Sequence, residues 1–520
     1  LQQEKIIKKI MKTVLQNLKY DLPASLVVFF VALPLCLGIA LASGAPLFSG
    51  IISGIIGGIV VGALSGSPLG VSGPAAGLSV IVLGYITLLG SFEAFLLAVF
   101  FMGVIQLTFG YLKLGNIAYY FPSSVIKGML VGIGLLIMIK QIPHLFGYDG
   151  DSEDLTYFQH HDFQSIINEL NRIIDNFNFG AVLISAISIL ILILWENKKI
   201  QKNKSLKMIP APLLAVVIGI FLYNLFQKEL LPFSLNKDQI VQIPLSSNLS
   251  DFIGHLTFPD LTYFMNLDIY VIALVMAIVA SLETLLCVEA TDKLDPQKRV
   301  TPTNQELKAQ GIGNIICGLI GGLPVTQVIV RSSANITFGG KTKISAISHG
   351  FLLLICAISI PAILNMIPMA SLAAILLIVG YKLAKPEIFR KMHKLGNEQF
   401  IPFIATVSGM LFFDLLKGVI IGIIIAIFYI LRNNFRNSHK HITDIEKKNS
   451  HVIELAEEVS FLNKGSILQI LKNIPENSKV IIDGSKSTCI DFDVIEVIKD
   501  FQINAKSKNI SLTIKGINLK

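Results

Sequence analysis

The sequence predicts an α-helical membrane protein of fourteen spans, set out as two inverted blocks of seven and followed by a small cytoplasmic α/β module. Three observations carry that prediction. Hydrophobic residues make up 53% of the 520 residues against 15% charged, and mean hydropathy is +0.67, whereas soluble domains hold about 25% charged residues. The apolar residues gather into runs of span length. The third run of each block is broken by glycine and proline.

Before the first run, residues 1–22 read "LQQEKIIKKIMKTVLQNLKYDL", a basic amphipathic stretch. It lacks a cleavable small-residue site after a short apolar core, so no signal peptide is expected. Apolar runs then follow at 23–43, 47–66, 73–90, 92–112, 124–146, 178–195, 208–226, 268–290, 305–322, 323–338, 344–364, 366–383, 398–415 and 416–432. Lys5, Lys8, Lys9, Lys12 and Lys19 place the N-terminus in the cytoplasm of a cell whose inner membrane holds the chain. Counting spans from there, the loop with Asp149, Asp151, Glu153, Asp154 and Asp162 falls outside, while "ENKKIQKNKSLK" and "YKLAKPEIFRKMHK" fall inside, as the positive-inside rule requires. The even count leaves the polar tail after Arg432 in the cytoplasm. The net charge of +8 comes from these loops and predicts lipid contact and topology, with no nucleic-acid partner. Cys36, Cys287, Cys317 and Cys356 lie in apolar runs and Cys489 in the tail, without metal-type spacing. They read as buried apolar groups in a reducing setting, with neither metal nor cofactor expected. No phosphate loop or catalytic triad is present, so an enzyme is not expected.

The two broken runs carry the functional reading. The third enters through "SGSPLGVSGPAAG" (Ser65 to Gly77) and the tenth through "GGLPVTQVIVRSSANITFGGKTK" (Gly321 to Lys343). Paired interruptions at matching places point to an inverted-repeat transporter with its substrate site between half-helices. A half-helix that starts at mid-membrane leaves unpaired N–H groups and a positive dipole end there, which suits an anion. On one side the candidates are Arg331, Ser332, Ser333 and Thr326. On the other are the backbone N–H groups of Ser72, Gly73, Ala75 and Ala76, with Pro74 expected in a first-turn position that needs no donor. Arg331 is flanked by "VIV", and a charge in hydrocarbon costs several kcal/mol, so the expected partner is a ligand that comes and goes. Snorkelling and a fixed ion pair are the structural alternatives.

Glu283, in "VMAIVASLETLLCVEATDK", is the second mid-membrane charge. Counted from Asp268 at about 1.5 Å per residue, it lies roughly 22 Å along the eighth span. It reads either as a proton-coupling group or as a static partner of Arg331, and both readings stand at this point. Glu289 and Asp292 belong to a wetter vestibule, and Lys127 and Lys140 are expected to snorkel.

The segments "DLPASLVVFFVALPLCLGIALASGAP", "GVSGPAAGLSVIV", "FPSSVIKGMLVGIGLL" and "GGLPVTQVIVRSSANITFGGKTK" together resemble the sulfate permease (SulP) family of anion transporters. The resemblance implies the seven-plus-seven fold shared with uracil permease, core and gate domains moving in an elevator-like cycle, and a homodimer. It places the anion pocket at Leu35 and Cys36, at Pro74 to Ala76, and at Val330, Arg331 and Ser332. Some members have serine at the position of Val330. It also implies a cytoplasmic STAS domain, here 451–520, joined by a linker at 433–450 to the transmembrane domain at 23–432. The tail fits, because "HVIELAEEVSFLNKGSILQILKNI" reads strand then helix, "SKVIIDGSKSTCID" strand then loop, and "FDVIEVIKDFQINAKSKNISLTIKGIN" helix then strand. Soluble STAS relatives carry a phosphorylatable serine after the loop aspartate. Here Phe492 follows Asp491, so no phospho-switch is expected. Family members carry sulfate, bicarbonate, dicarboxylates or halides, and the motif does not separate them. In the sodium-coupled bicarbonate branch a hydroxyl residue follows the eighth-span carboxylate by one turn. This chain has Cys287 there, a poor sodium ligand, which favours protons or exchange over sodium. Sodium-coupled bicarbonate uptake, a dicarboxylate carrier and an anion channel are the alternatives.

Overall fold

The structure is a computed structural model that describes residues 2–115, 122–148, 177–197, 209–245, 249–413, 415–436, 439–443 and 450–518. The acidic loop after the fifth run, residues 198–208 of the basic loop after the sixth, and 437–438 and 444–449 of the expected linker lie outside the described residues.

Each apolar run falls on a helix. In the first block these are α1 (Gln2–Ala42), α2 (Leu47–Ile56), α3 (Ser79–Leu89), α4 (Phe92–Tyr111), α5 (Ser123–Leu145), α6 (Phe179–Trp195) and α7 (Ala211–Gln227). The second block holds α8 (Leu267–Leu294), α9 (Thr303–Ile320), α10 (Ile329–Thr337), α11 (Ile344–Ser359), α12 (Met369–Leu383), α13 (Asn397–Phe412) and α14 (Leu415–Arg436). Among the described residues, five helical stretches are long and apolar enough to cross a membrane by length and composition: Asn17–Ala42, Leu47–Leu64, Phe92–Tyr111, Ser123–Leu145 and Leu267–Leu294.

The third and tenth runs are the short ones because their first halves are extended. Pro74 and Pro324 cannot donate into a helix and bias the residue before them away from it. The chain instead forms β1 (Ser72–Pro74) and β2 (Val325–Gln327), paired antiparallel with Ser72 opposite Gln327, Gly73 opposite Thr326 and Pro74 opposite Val325. All six strand residues are buried. After β1 a 3-10 turn at Ala76–Leu78 leads into α3, and after β2 the chain enters α10 directly. Because the strands are antiparallel, the two half-helices leave the crossing in opposite directions, each with its N-terminus towards it.

Close backbone approach around the crossing requires glycine. After Ile56, α2 widens into a π-helical turn at Gly57–Val61. A Cβ on Gly57 would lie 2.6 Å from the Ser72 carbonyl. The α4 and α9 helices meet in the same way, since a Cβ on Gly103 would lie 2.5 Å from Ile315 N and one on Gly311 2.6 Å from Leu107 N. Membrane helices commonly associate through small residues like these.

The chain divides into two compact units, one of 1–391 with 406–420 and the other of 392–405 with 421–520. The division runs through α13 and α14. In the second unit β4 (Ser450–Leu455), β6 (Lys479–Asp483) and β8 (Ser511–Lys515) form a parallel sheet, edged by the antiparallel β3 (His439–Thr443) in the order β3-β4-β6-β8. The short pair β5 (Glu458–Val459) and β7 (Cys489–Ile490) is separate. Two helices, α15 (Lys464–Lys472) and α16 (Phe492–Ser507), bury Ile467, Leu471, Val494 and Ile498 with Ile453, Val480 and Ile482 of the sheet. The strand–helix–strand–helix–strand order is the one read from the tail. The edge strand β3, inside the stretch read as linker, is the addition.

Candidate binding site at the crossing strands

The site assembles from the crossing outwards. Arg331 is in the first turn of α10 and has no exposed surface. Its guanidinium lies against the backbone of β1, so that a Cβ on Gly73 would sit 1.9 Å from Nη1. Nη2 contacts Cys36 Sγ of α1 at 3.4 Å, while Nε and Nη1 have no hydrogen-bond acceptor among the described residues. Snorkelling is therefore not how this charge is accommodated. Among the described residues no ion pair forms between Arg331 and Glu283, which removes the static-partner arrangement. In the same turn the open side chain is Val330, 38% exposed. Ser332 Oγ accepts from Val71 N at 3.0 Å and donates to Val328 O at 2.8 Å, and Ser333 Oγ donates to Val330 O at 3.0 Å. The hydroxyl of Thr326 is buried without a partner among the described residues.

On the other half, Pro74 is the last residue of β1 and does not occupy a helical first turn. The N–H of Ala75 is spent on Pro324 O at 3.3 Å. The extended backbone takes this group into the ladder, so the helix-end donors begin later than the sequence suggests, at Ala76 and Gly77. Leu35 and Ala75 are buried and Ala76 is half-buried.

The α8 helix supplies a cap to the first of these N-termini. In α8, Glu283 Oε1 accepts the Gly77 N–H at 3.3 Å. Glu283 Oε2 and the neighbouring Thr284 Oγ1 are buried without partners among the described residues. A resident carboxylate therefore stands at a helix end that would attract any other anion.

A polar stripe on α9 holds the strands. Asn314 Nδ2 donates to Val325 O at 3.0 Å and to Gln106 Oε1 at 2.7 Å, and its Oδ1 accepts Val325 N at 2.6 Å. Gln310 Nε2 donates at 2.8 Å to both Ser72 Oγ and Glu306 Oε1, and Ser65 donates to Glu306 Oε2. Gln327 Nε2 of β2 reaches Thr291 Oγ1 of α8 at 3.1 Å. Sequence reasoning passed over Glu306, Gln310 and Asn314, although their spacing of i, i+4 and i+8 puts them on one helix face and was there to be read.

Beyond α8 the connecting loops are tied down. Asp292 accepts from Thr301 N and Oγ1 at 2.7 Å, Arg299 Nη1 donates to Lys341 O at 3.0 Å, and Asp21 of α1 accepts Lys341 N at 2.6 Å. Burial pushes the Asp295 carboxyl up, but hydrogen bonds from Arg299 and the Gln297 amide outweigh it and hold Asp295 below the usual carboxylate range. A pocket of ≈ 290 Å³ opens here, lined by Leu285, Val288, Glu289, Asp292, Lys298 and Arg299 among others, and none of the crossing-strand residues lines it.

Comparison with known proteins adds an independent line. The family model described as "Sulfate permease family" matches residues 18–406. The putative sulfate transporter YvdB of Bacillus subtilis (strain 168) is 30% identical over 370 residues, covering 71% of this chain and 65% of that protein. The bicarbonate transporter BicA of Picosynechococcus sp. is 23% identical over 324 residues, covering 62% of this chain and 53% of BicA. The chain thus spans somewhat over half to just under two thirds of these relatives' length. Among solved structures, SLC26A9 shares the fold with a TM-score of 0.74 at 16% identity, covering 97% of this chain and 85% of that one.

Proposed function

Because the chain belongs to the sulfate permease family, a family of membrane transporters and not of enzymes, we propose that it carries a small inorganic anion across the cytoplasmic membrane. Sulfate and bicarbonate are the first candidates. The observation that carries the reading is the convergence of two half-helix N-termini on β1 and β2 with the Arg331 guanidinium buried between them. Two positive dipole ends and one full charge make a site for a negative ligand. The ligand meets the first turns at half-buried Ala76 and exposed Val330, while Arg331 supplies charge from behind Gly73. Leu35, Cys36, Ser72, Pro74, Ala75, Thr326 and Ser332 build the wall.

Transport in this reading is secondary and elevator-like, by a homodimer with both termini in the cytoplasm, and the α/β unit is a STAS domain. Glu283 is the coupling group. Its carboxylate already occupies the Gly77 N–H, so an incoming anion is favoured when Glu283 takes up a proton and no longer competes as a charge for that helix end. Sodium is the second reading. It is supported by buried oxygens without donors at Glu283 Oε2, Thr284 Oγ1, Thr326 Oγ1 and Gln327 Oε1, and opposed by the thiol at Cys287. Uptake of radiolabelled sulfate and bicarbonate into proteoliposomes, each under an imposed proton or sodium gradient, tests both. Accumulation driven by sodium alone overturns the proton reading, and no uptake of either anion removes both candidates.

A further inference from the structure

Lys140 of α5 lies inside the protein. It is 6% exposed, and its Nζ has no hydrogen-bond partner among the described residues. Its neighbour Gln141 is fully buried, with both Oε1 and Nε2 unpaired. Snorkelling, the expectation from sequence, fails because the ammonium does not reach a surface. A long cationic side chain buried without a counter-charge is costly unless a partner arrives.

Depth can be read from helix contacts. On α12, Gly380 meets Gly134 and Met138 of α5, and the contacts of Gly134 extend to Leu383 and Ala384, so the two helices run antiparallel. Further along α12, Leu376 meets Gly38 of α1, where a Cβ would lie 3.1 Å away. Counting about 1.5 Å per residue along each helix places Lys140 within roughly one turn of the depth of Cys36, the residue in contact with Arg331. Gly134 and Met138 face α12, and about 100° per residue puts Lys140 on the side of α5 turned away from it. Besides α12, the neighbours of α5 include α1, α3, α6, the 3-10 turn at Ala76–Leu78 that precedes α3, and Met410 of α13, which a Cβ on Gly132 would meet.

We propose that Lys140 is a second contact for the transported anion, on α5 and level with the crossing strands, met as the anion moves to or from the half-helix ends. The inference rests on the anion-transport reading above. It adds a cation from a helix outside the crossing, so that the ligand is not left unpaired when it leaves the α3 and α10 ends.

The test uses the full chain in proteoliposomes and in detergent, with sulfate and bicarbonate as probes. Lys140→Met is expected to raise KM for the transported anion roughly tenfold, the loss of one charge-assisted contact, while Lys140→Arg stays near wild type. In Lys140→Cys, modification by 2-aminoethyl methanethiosulfonate restores the positive charge and should restore uptake. Saturating anion should slow that modification at least threefold, measured against the unchanged protein to subtract its own thiols. Protection reads binding whether or not transport occurs. Transport with wild-type KM in Lys140→Met and no protection overturns the role of Lys140. Protection without uptake keeps Lys140 and overturns the transport reading, and absence of both overturns the two together.

Discussion

The guanidinium of Arg331 occupies the space that a side chain at Gly73 would fill, with 1.9 Å between Nη1 and the place of a Cβ. The two residues come from the two broken runs and sit 258 positions apart in the chain. Gly73→Ala should therefore act on the charge, because the methyl group and Nη1 cannot coexist. Overpacking of this kind costs about 1–3 kcal/mol, and the displaced guanidinium should lower anion affinity by at least tenfold. Sulfate- or bicarbonate-dependent thermal stabilisation of the purified variant reports it, and wild-type stabilisation would refute the contact.

Arg331→Ala should weaken anion binding more than it harms folding. Among the described residues its guanidinium makes a single weak hydrogen bond, to the Cys36 thiol, so no polar network of the fold hangs on it. Losing a charge-assisted contribution in a dry site is worth about 1.5 to 3 kcal/mol, or roughly ten- to a hundredfold in affinity. Arg331→Lys should recover only part, since an ammonium cannot reproduce the planar fork wedged against Gly73. Equilibrium binding of labelled sulfate and bicarbonate to monodisperse protein checks both, and unchanged affinity in the alanine variant would contradict the assignment.

Asn314→Ala should do the opposite, harming the fold first. The change leaves Val325 N–H, Val325 O and Gln106 Oε1 without Asn314 as a partner in a buried place, at a cost of about 1–3 kcal/mol for each group left unsatisfied. The temperature of half-unfolding in detergent should fall by several degrees, while the protein that remains folded keeps near-normal affinity. Normal stability with lost affinity would mean that Asn314 meets the anion itself.

Arg331 and Glu283 were legible in the sequence because a charge inside an apolar run stands out against its neighbours. The broken third and tenth runs were legible for a similar reason, since Pro74 and Pro324 interrupt any helical pattern. What local pattern could not supply was which groups meet across the chain. Cys36 on the Arg331 guanidinium and Glu283 on the Gly77 N–H are tertiary facts, and so is the pairing of Ser72 with Gln327. Lys140 was misread because the sequence places it near the end of an apolar run, where a long side chain ordinarily reaches the interface. The edge strand β3 escaped notice because "HKHIT" lacks apolar alternation, a common property of edges that must not attract other strands.

The α/β unit should fold by itself. Ile453, Val480, Ile482, Val494 and Ile498 are all 1% exposed or less and belong to one cluster, which gives this part of the chain its own core. Residues 437–520 produced alone should be soluble and unfold cooperatively in urea. A chain ending at Arg436 should still insert and transport, more slowly or with altered assembly. An unfolded isolated segment, or complete loss of transport in a correctly inserted truncation, would show that the two parts depend on each other.

Glu283→Gln should separate binding from coupling. In the native protein Oε1 takes the Gly77 N–H and Oε2 takes nothing, so the amide of glutamine can keep the first bond without its charge and the half-helix end stays in place. As a carboxylate, Glu283 competes with the transported anion for the same positive helix end. As a neutral acid it does not, so proton and anion binding reinforce each other, typically by about 1–3 kcal/mol. The sign follows: wild-type uptake rises as the pH on the loading side falls, and an inward proton gradient drives accumulation. The glutamine variant imitates the protonated form at every pH. It should bind sulfate or bicarbonate at least as well as the wild type, lose the pH dependence of uptake, and equilibrate the anion without concentrating it. Gradient-driven accumulation with the wild-type pH profile in that variant would leave Glu283 as a structural cap of α3 and move the coupling to another group.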